Sequence, residues 1–99
     1  MKLKELMNSL TYELIKGSLE QEISGIVYDS RKVQEGSLFV CLKGFQSDGH
    51  AYIGKAVEAG AAAVIVEDAD ACVPYDITAV KVEDAREALA LVSVKWFGN

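Results

Sequence analysis

Proline and histidine are nearly absent: the 99 residues include one of each. With a single Pro and 51% apolar residues, the chain is neither a polyproline segment nor a disordered low-complexity tail. One His and two cysteines, Cys41 and Cys72, fit neither a CxxC pair nor a zinc-ligand pattern, so no metal site is expected. His50 has no nucleophile and no orienting acid arranged around it in the sequence, which excludes a legible catalytic triad. Basic residues are also scarce, ten against 15 acidic ones, for a net charge of −5. That balance argues against a nucleic-acid surface, which needs a basic face. No apolar run approaches the roughly 20 residues of a membrane helix. Lys2, Lys4 and Glu5 interrupt the apolar stretch that a signal peptide would need. The expectation is a cytoplasmic protein with free thiols and neither a membrane nor a nucleic-acid partner.

What is present is a globular pattern of one domain's length. Leu3, Leu6, Met7 and Leu10 recur at helical spacing, which predicts a short helix over residues 2–9. TYELIKG reads as a short strand ending at Gly17, and Ile23–Asp29 as a strand ended by the polar Asp-Ser-Arg. KVQEGS is a turn. Leu38–Leu42 is apolar on both faces, as befits a central strand covered on two sides. A helix follows, with Asp48 as its N-cap, Ile53, Ala56 and Val57 on one face, and Gly60 at its end. Ala62–Val66 and Ile77–Val82 are further strands, with Val73–Tyr75 expected as a short extended segment between them. Asp84 caps the last helix, with Glu87 three positions on as a capping-box partner. Ala85, Ala88, Leu89, Val92 and Trp96 form its apolar face, and Gly98 ends it. The strand–helix–strand unit from Leu38 to Val66 should cross over right-handed. The fold class is α/β, a small mixed and mostly parallel sheet flanked by helices.

Residues 49–56, GHAYIGKA, nearly match the phosphate-binding loop GxxxxGK[ST]. Ala56 stands where a magnesium-holding hydroxyl is needed, and bulky Tyr52 and Ile53 stand where backbone N–H groups must wrap a phosphate. Helical periodicity through Tyr52–Ala59 places Gly54 and Lys55 inside a helix instead. Two polar turns remain. Asp29-Ser30-Arg31 closes one strand, and Gly44-Phe45-Gln46-Ser47 closes the next. Ligands in α/β sheets favour such strand ends. Ser30 offers a hydroxyl that donates and accepts, and Phe45 offers a face for a flat ring. The same residues also suit plain loops, with Asp29 accepting local N–H bonds and Arg31 paired to a carboxylate.

Taken together, DSRKVQEGSLFVCLKG and DGHAYIGKAVEAGAAAVIVE resemble the N-terminal domain of the Mur ligases, the ATP-dependent amide ligases of cytoplasmic peptidoglycan synthesis. The resemblance spans nearly the whole chain, from LKELM to WFGN. It is stronger to the branch that adds the third, diamino acid residue of the stem peptide. The branch that adds the D-Ala-D-Ala dipeptide is the alternative, and so is a non-catalytic interaction domain of the same fold. The resemblance implies that residues 1–99 hold the uridine-diphosphate end of UDP-MurNAc-L-Ala-D-Glu. It matches Ser30 to a substrate-contacting serine, Tyr28 to a residue touching the uridine, and Phe45, Gln46 and Ser47 to a loop closing around the uracil. Asp29, Arg31, Asp48, Gly49 and His50 belong to the motifs in mainly structural roles. The same resemblance implies no catalytic residue and no cofactor in this chain. It places ATP, Mg2+ and a GTNGKT-type loop in a central domain beginning after Asn99, and amino-acid recognition in a C-terminal domain. The chain alone is then expected to be inactive.

Overall fold

The structure is a computed structural model and describes residues 1–98. Its elements run α1 (Leu3–Met7), β1 (Glu13–Lys16), β2 (Gly25–Val27), β3 (Ser37–Val40), α2 (Ile53–Glu58), β4 (Ala63–Val66), β5 (Thr78–Lys81) and α3 (Ala85–Phe97). The five strands form one sheet in the order β1-β5-β4-β3-β2. All neighbours are parallel except β1, which pairs antiparallel with β5. The sheet is mixed and mostly parallel, as the sequence pattern implies.

The doubly apolar runs SLFV and AVIV take the middle of the sheet and are buried along their whole length. Successive side chains on a strand point to opposite faces. Leu38, Val40, Ala63, Ile65 and Val80 therefore join one core layer with Leu3, Leu6 and Met7 of α1 and Ala85, Ala88 and Val92 of α3. Leu89 and Trp96 pack at its margin. Phe39, Cys41, Val64, Val66 and Ala79 face the other way, onto Ile53 and Ala56 of α2. Each fully buried Val, Leu, Ile, Phe or Met among them contributes about 1.5–3 kcal/mol, and the alanines less. The result is three layers, with α1 and α3 on one side and α2 on the other. Gly60 ends α2 at φ +100, and a Cβ there would also lie 2.7 Å from the Glu35 carboxylate.

Three local expectations are corrected. Val73–Tyr75 is not extended. A single 3-10 turn, Ala69–Cys72, is capped by Asp68, and the Tyr75 N–H donates back to the Cys72 carbonyl at 3.1 Å. The carbonyls this bend exposes are collected by Lys16 Nζ, which donates to Cys72, Val73 and Tyr75 at 3.2, 3.2 and 2.8 Å. Asp48 does not cap α2. It caps a preceding 3-10 turn, Gly49–Tyr52, and α2 starts only at Ile53. At α3, Asp84 accepts the N–H groups of Arg86 and Glu87 at 3.0 and 3.1 Å, but among the described residues Glu87 makes no return bond. The added acceptor is Glu67, at the end of β4, which takes the Ala85 N–H at 2.7 Å. That bond fastens α3 to the strand carboxyl ends. Among the described residues no helix is long and apolar enough to cross a membrane.

Candidate functional site

Parallel pairing of β2 with β3 sets their carboxyl ends side by side. The two polar turns follow those ends and so become neighbours. Between them lies an open cleft of about 470 Å3. Tyr28, Asp29, Ser30 and Arg31 form one wall, and Leu42, Gly44, Ser47 and Gly49 form another. Tyr52 and Lys55 come from the α2 side and Arg86 from the start of α3.

The first wall is built by Asp29. Its carboxylate caps a single 3-10 turn, Ser30–Lys32, by accepting the Arg31 N–H at 3.0 Å. The Arg31 guanidinium also closes onto it, with bonds of 3.0 and 2.8 Å. Those side-chain and backbone bonds hold the Asp29 carboxyl down at about 2. Asp29 and Arg31 thus satisfy each other, and Ser30 is left at the cleft with a hydroxyl that makes no bond among the described residues. Tyr28 stands at the rim, 62% exposed.

The second wall is a short hairpin. Gly44 N–H donates to the Ser47 carbonyl at 2.8 Å, and Gly49 N–H to the Leu42 carbonyl at 2.7 Å. Ser47 lines the cleft, whereas Phe45 and Gln46, at the hairpin tip, are exposed and do not. Tyr28, Ser30 and Ser47 are therefore brought together, and Phe45 and Gln46 stand apart from them.

His50 anchors this hairpin to the rest of the sheet. Its Nδ1–H donates to Asp48 at 2.6 Å, and its Nε2 accepts the N–H groups of Glu67 and Asp68 at 3.0 and 3.3 Å. Accepting two N–H groups at Nε2 fixes the proton on Nδ1. Burial works against the Asp48 charge, but the bonds from the His50 N–H and ring hold its carboxyl below the usual value. Both ring nitrogens are occupied, so His50 is structural, as its motif implied.

Sequence reasoning missed Lys55, Arg86 and Tyr52 as wall residues. Lys55 reads as a solvated helix lysine and Arg86 as one residue of a helix turn. Topology carries a signal for both helices: in a parallel sheet, a helix that follows a strand begins at the strand carboxyl ends, where the cleft lies. The near-match to a phosphate loop does not fit ATP. Gly54 and Lys55 lie inside α2, and a Cβ on Gly54 would stand 3.1 Å from the Tyr75 hydroxyl, so no loop is free to wrap a phosphate there. Among the described residues no group of three or more His, Cys, Asp or Glu could hold a metal ion. Cys41 and Cys72 are both free and buried.

Residues 22–95 match the model of the "Mur ligase family, catalytic domain". The chain belongs to the Mur ligase family. A Mur relative from Clostridium perfringens, named UDP-N-acetylmuramoyl-L-alanyl-D-glutamate–2,6-diaminopimelate ligase, is 50% identical over 97 residues, 98% of this chain. The ligase of the same name from Syntrophomonas wolfei is 47% identical over the full chain. The chain spans about a fifth of the length of each relative, 20% in both cases. Among solved structures, MurF from Acinetobacter baumannii superposes with a TM-score of 0.81 at 27% identity, over 95% of this chain and 20% of that one. MurF from Thermotoga maritima, in complex with ADP, gives 0.57 at 30% identity over 74% of this chain and 16% of its own. The α/β architecture is that of the Mur ligases.

Proposed function

We propose that this Mur domain holds the uridine-diphosphate end of UDP-MurNAc-L-Ala-D-Glu for a ligase that adds a diamino acid, meso-diaminopimelate or L-lysine, to it. The observation that carries the reading is the cleft at the carboxyl ends of β2 and β3, where Tyr28, Ser30 and Ser47 converge. The Ser30 hydroxyl, free of other bonds, donates to or accepts from the nucleotide, and Ser47 lines the facing wall. Tyr28 at the rim presents an aromatic face to the uracil. The hairpin tip, with Phe45 and Gln46, closes over the base from the other side. The names of the relatives at 47–50% identity support the diaminopimelate-adding branch. The dipeptide-adding branch, to which the MurF structures belong, is the second reading, supported by the TM-score of 0.81 with MurF from Acinetobacter baumannii.

ATP and Mg2+ belong to the reaction of the whole ligase, and the near-match GHAYIGKA, folded into a 3-10 turn and α2, does not fit a nucleotide phosphate loop. Residues 1–99 act as the N-terminal domain beside a central and a C-terminal domain of one cytoplasmic polypeptide. By itself the domain binds and orients substrate and does not catalyse ligation. An amide NMR titration with UDP-MurNAc-L-Ala-D-Glu tests the reading, with ATP as control. Shifts are expected at Tyr28–Ser30 and Phe45–Ser47 with the first ligand and none with ATP. Ser30→Ala should weaken binding about fivefold, the worth of one hydroxyl bond of ~1 kcal/mol. Absence of shifts at millimolar ligand, or identical shifts with ATP, would overturn it.

A further inference from the structure

Among the described residues, the hairpin that forms the second cleft wall is gripped at its base and not at its tip. Lys43 and Asp48, its two legs, face each other in a single antiparallel bridge, and the Gly44 N–H bond to the Ser47 carbonyl closes the turn. Phe45 and Gln46 at the tip are exposed. The direction in which the hairpin points is therefore set by what holds its legs. Both legs lead to Glu67, the residue after β4. Its backbone N–H donates to His50 Nε2 at 3.0 Å, and the His50 ring bonds Asp48 at 2.6 Å, which ties down the second leg. Its carboxylate faces the first leg, with Oε1 4.0 Å from Lys43 Nζ.

The same carboxylate sets the start of α3. Its Oε2 accepts the Ala85 N–H at 2.7 Å, and the side chain is 25% exposed. That N–H is one of the four at a helix start that have no partner within the helix. Arg86, the next residue, reaches back and donates Nη2–H to the Lys43 carbonyl at 3.1 Å. Asp84 already accepts the N–H groups of Arg86 and Glu87. What Glu67 adds is a fixed separation between the end of β4 and the first turn of α3, and the Arg86 arm spans from that turn to the hairpin. A bond from an N–H to a carboxylate is shorter and stronger than a neutral one, so it makes a firm strut. The Lys43 ion pair, long and solvent-exposed, contributes little beside it. The path from Glu67 to the first leg therefore runs mainly through Arg86.

We propose that Glu67 is a positioning residue for the nucleotide cleft: by fixing the first turn of α3 it sets where Arg86 holds Lys43, and so how closely the hairpin wall approaches Ser30. The proposal rests on the uridine-nucleotide reading of the cleft, but Glu67 is not itself a wall residue and acts through Arg86. Couplings between binding and conformation are reciprocal. A ligand that draws the hairpin inward also tightens the Arg86 bond and the start of α3, so occupancy of the cleft is felt in the helix.

The test compares the 99-residue chain with Glu67→Ala, which removes the acceptor, and with Glu67→Gln, whose amide oxygen keeps it. Calorimetric titration with UDP-MurNAc-L-Ala-D-Glu is made at a temperature where urea unfolding shows every variant folded. Glu67→Ala should bind about fivefold more weakly, the low end of typical coupling between sites, and Glu67→Gln should bind like the parent. Amide NMR of ligand-free Glu67→Ala should show shifts at Gly44–Ser47 as well as at Ala85–Glu87. Arg86→Ala removes the arm, so adding Glu67→Ala to it should weaken binding no further. Lower stability with unchanged affinity and unmoved hairpin amides would make Glu67 a helix cap alone and overturn the proposal. Equal losses in Glu67→Gln and Glu67→Ala, or additive losses in the double variant, would overturn it too. If the parent chain binds no ligand, the uridine reading falls, and the ligand-free hairpin shifts decide the positioning role by themselves: their absence overturns it and their presence supports it.

Discussion

Gly49 gives the most direct test of how the cleft wall is built. A Cβ at this position would lie 2.7 Å from the Leu42 nitrogen, 3.0 Å from the Cys41 Cα and 3.1 Å from the Leu42 oxygen. Ordinary contact begins at 3.4 Å, so 3.4 − 2.7 = 0.7 Å of displacement is required. All three atoms are backbone, and no side chain is available to rotate away. The strand end cannot yield freely either, because Cys41 N–H donates to Ile65 at 2.9 Å and the Leu42 carbonyl already accepts from Gly49 at 2.7 Å. Gly49→Ala should therefore cost about 2 kcal/mol, the middle of the ~1–3 kcal/mol seen for overpacking. For a domain of this size that lowers Tm by roughly 8–16 °C. Gly25→Ala is the control: nothing lies within 4 Å of a Cβ there, and its φ is not positive. It should be neutral or stabilise by about 0.4–1 kcal/mol through the unfolded chain. Urea unfolding followed by the fluorescence of Trp96, the single tryptophan, measures both. A Gly49→Ala variant as stable as the parent, or equal shifts in the two variants, would refute the close-approach argument.

Other consequences follow from the same geometry. His50→Ala strands the N–H groups of Glu67 and Asp68 and should cost about 2–3 kcal/mol; hydrogen exchange at those two amides should accelerate more than at Val64, and uniform acceleration would contradict the anchoring role. The Asp29 carboxyl sits at about 2 against an ordinary 3.8, so its contribution to stability is full above 3.8 and is lost as pH falls through about 2. The stability gap between the parent and Asp29→Asn should be constant above about pH 4 and close towards pH 2; a gap that persists at pH 2 would contradict the pairing. Burial, with smaller contributions from Asp48 and Cys72, pushes the Cys41 thiol up to about 12. Cys41 should resist a thiol reagent at pH 8 in the folded chain and react fully in urea; rapid reaction of the folded chain would show that its core position is wrong.

Local pattern settled most of the elements. Leu38–Leu42 and Ala62–Val66, apolar on both faces, could sit only in the middle of a sheet covered twice, and they do. Asp84 before the apolar spacing of Ala85, Ala88 and Val92 marked the start of α3. Asp29 and Arg31 are close enough in sequence for their pairing to be local chemistry. The rejection of the phosphate loop also followed from side-chain size and helical spacing. The sequence likewise carried the Mur resemblance, in the order and spacing of its DSR, G-x-LFV and DGH elements, and in the structure DSR and DGH each form a self-capped turn whose bonds span two residues.

Contacts between distant residues were decided only by the tertiary structure. The bend at Val73–Tyr75 depends on Lys16, more than 50 residues away, collecting its carbonyls. The second acceptor at α3 is Glu67, 18 residues before Ala85, and no capping rule on the helix itself points to it. The cleft walls share no local pattern at all. Ser30 and Ser47 meet because β2 and β3 pair in parallel, and Lys55 and Arg86 join them because helices that follow parallel strands start at the same sheet edge. A sequence records the periodicity of each element, which is set by neighbours along the chain. It does not record which strand edges pair, and that pairing places Ser30 and Ser47 on the walls of one cleft.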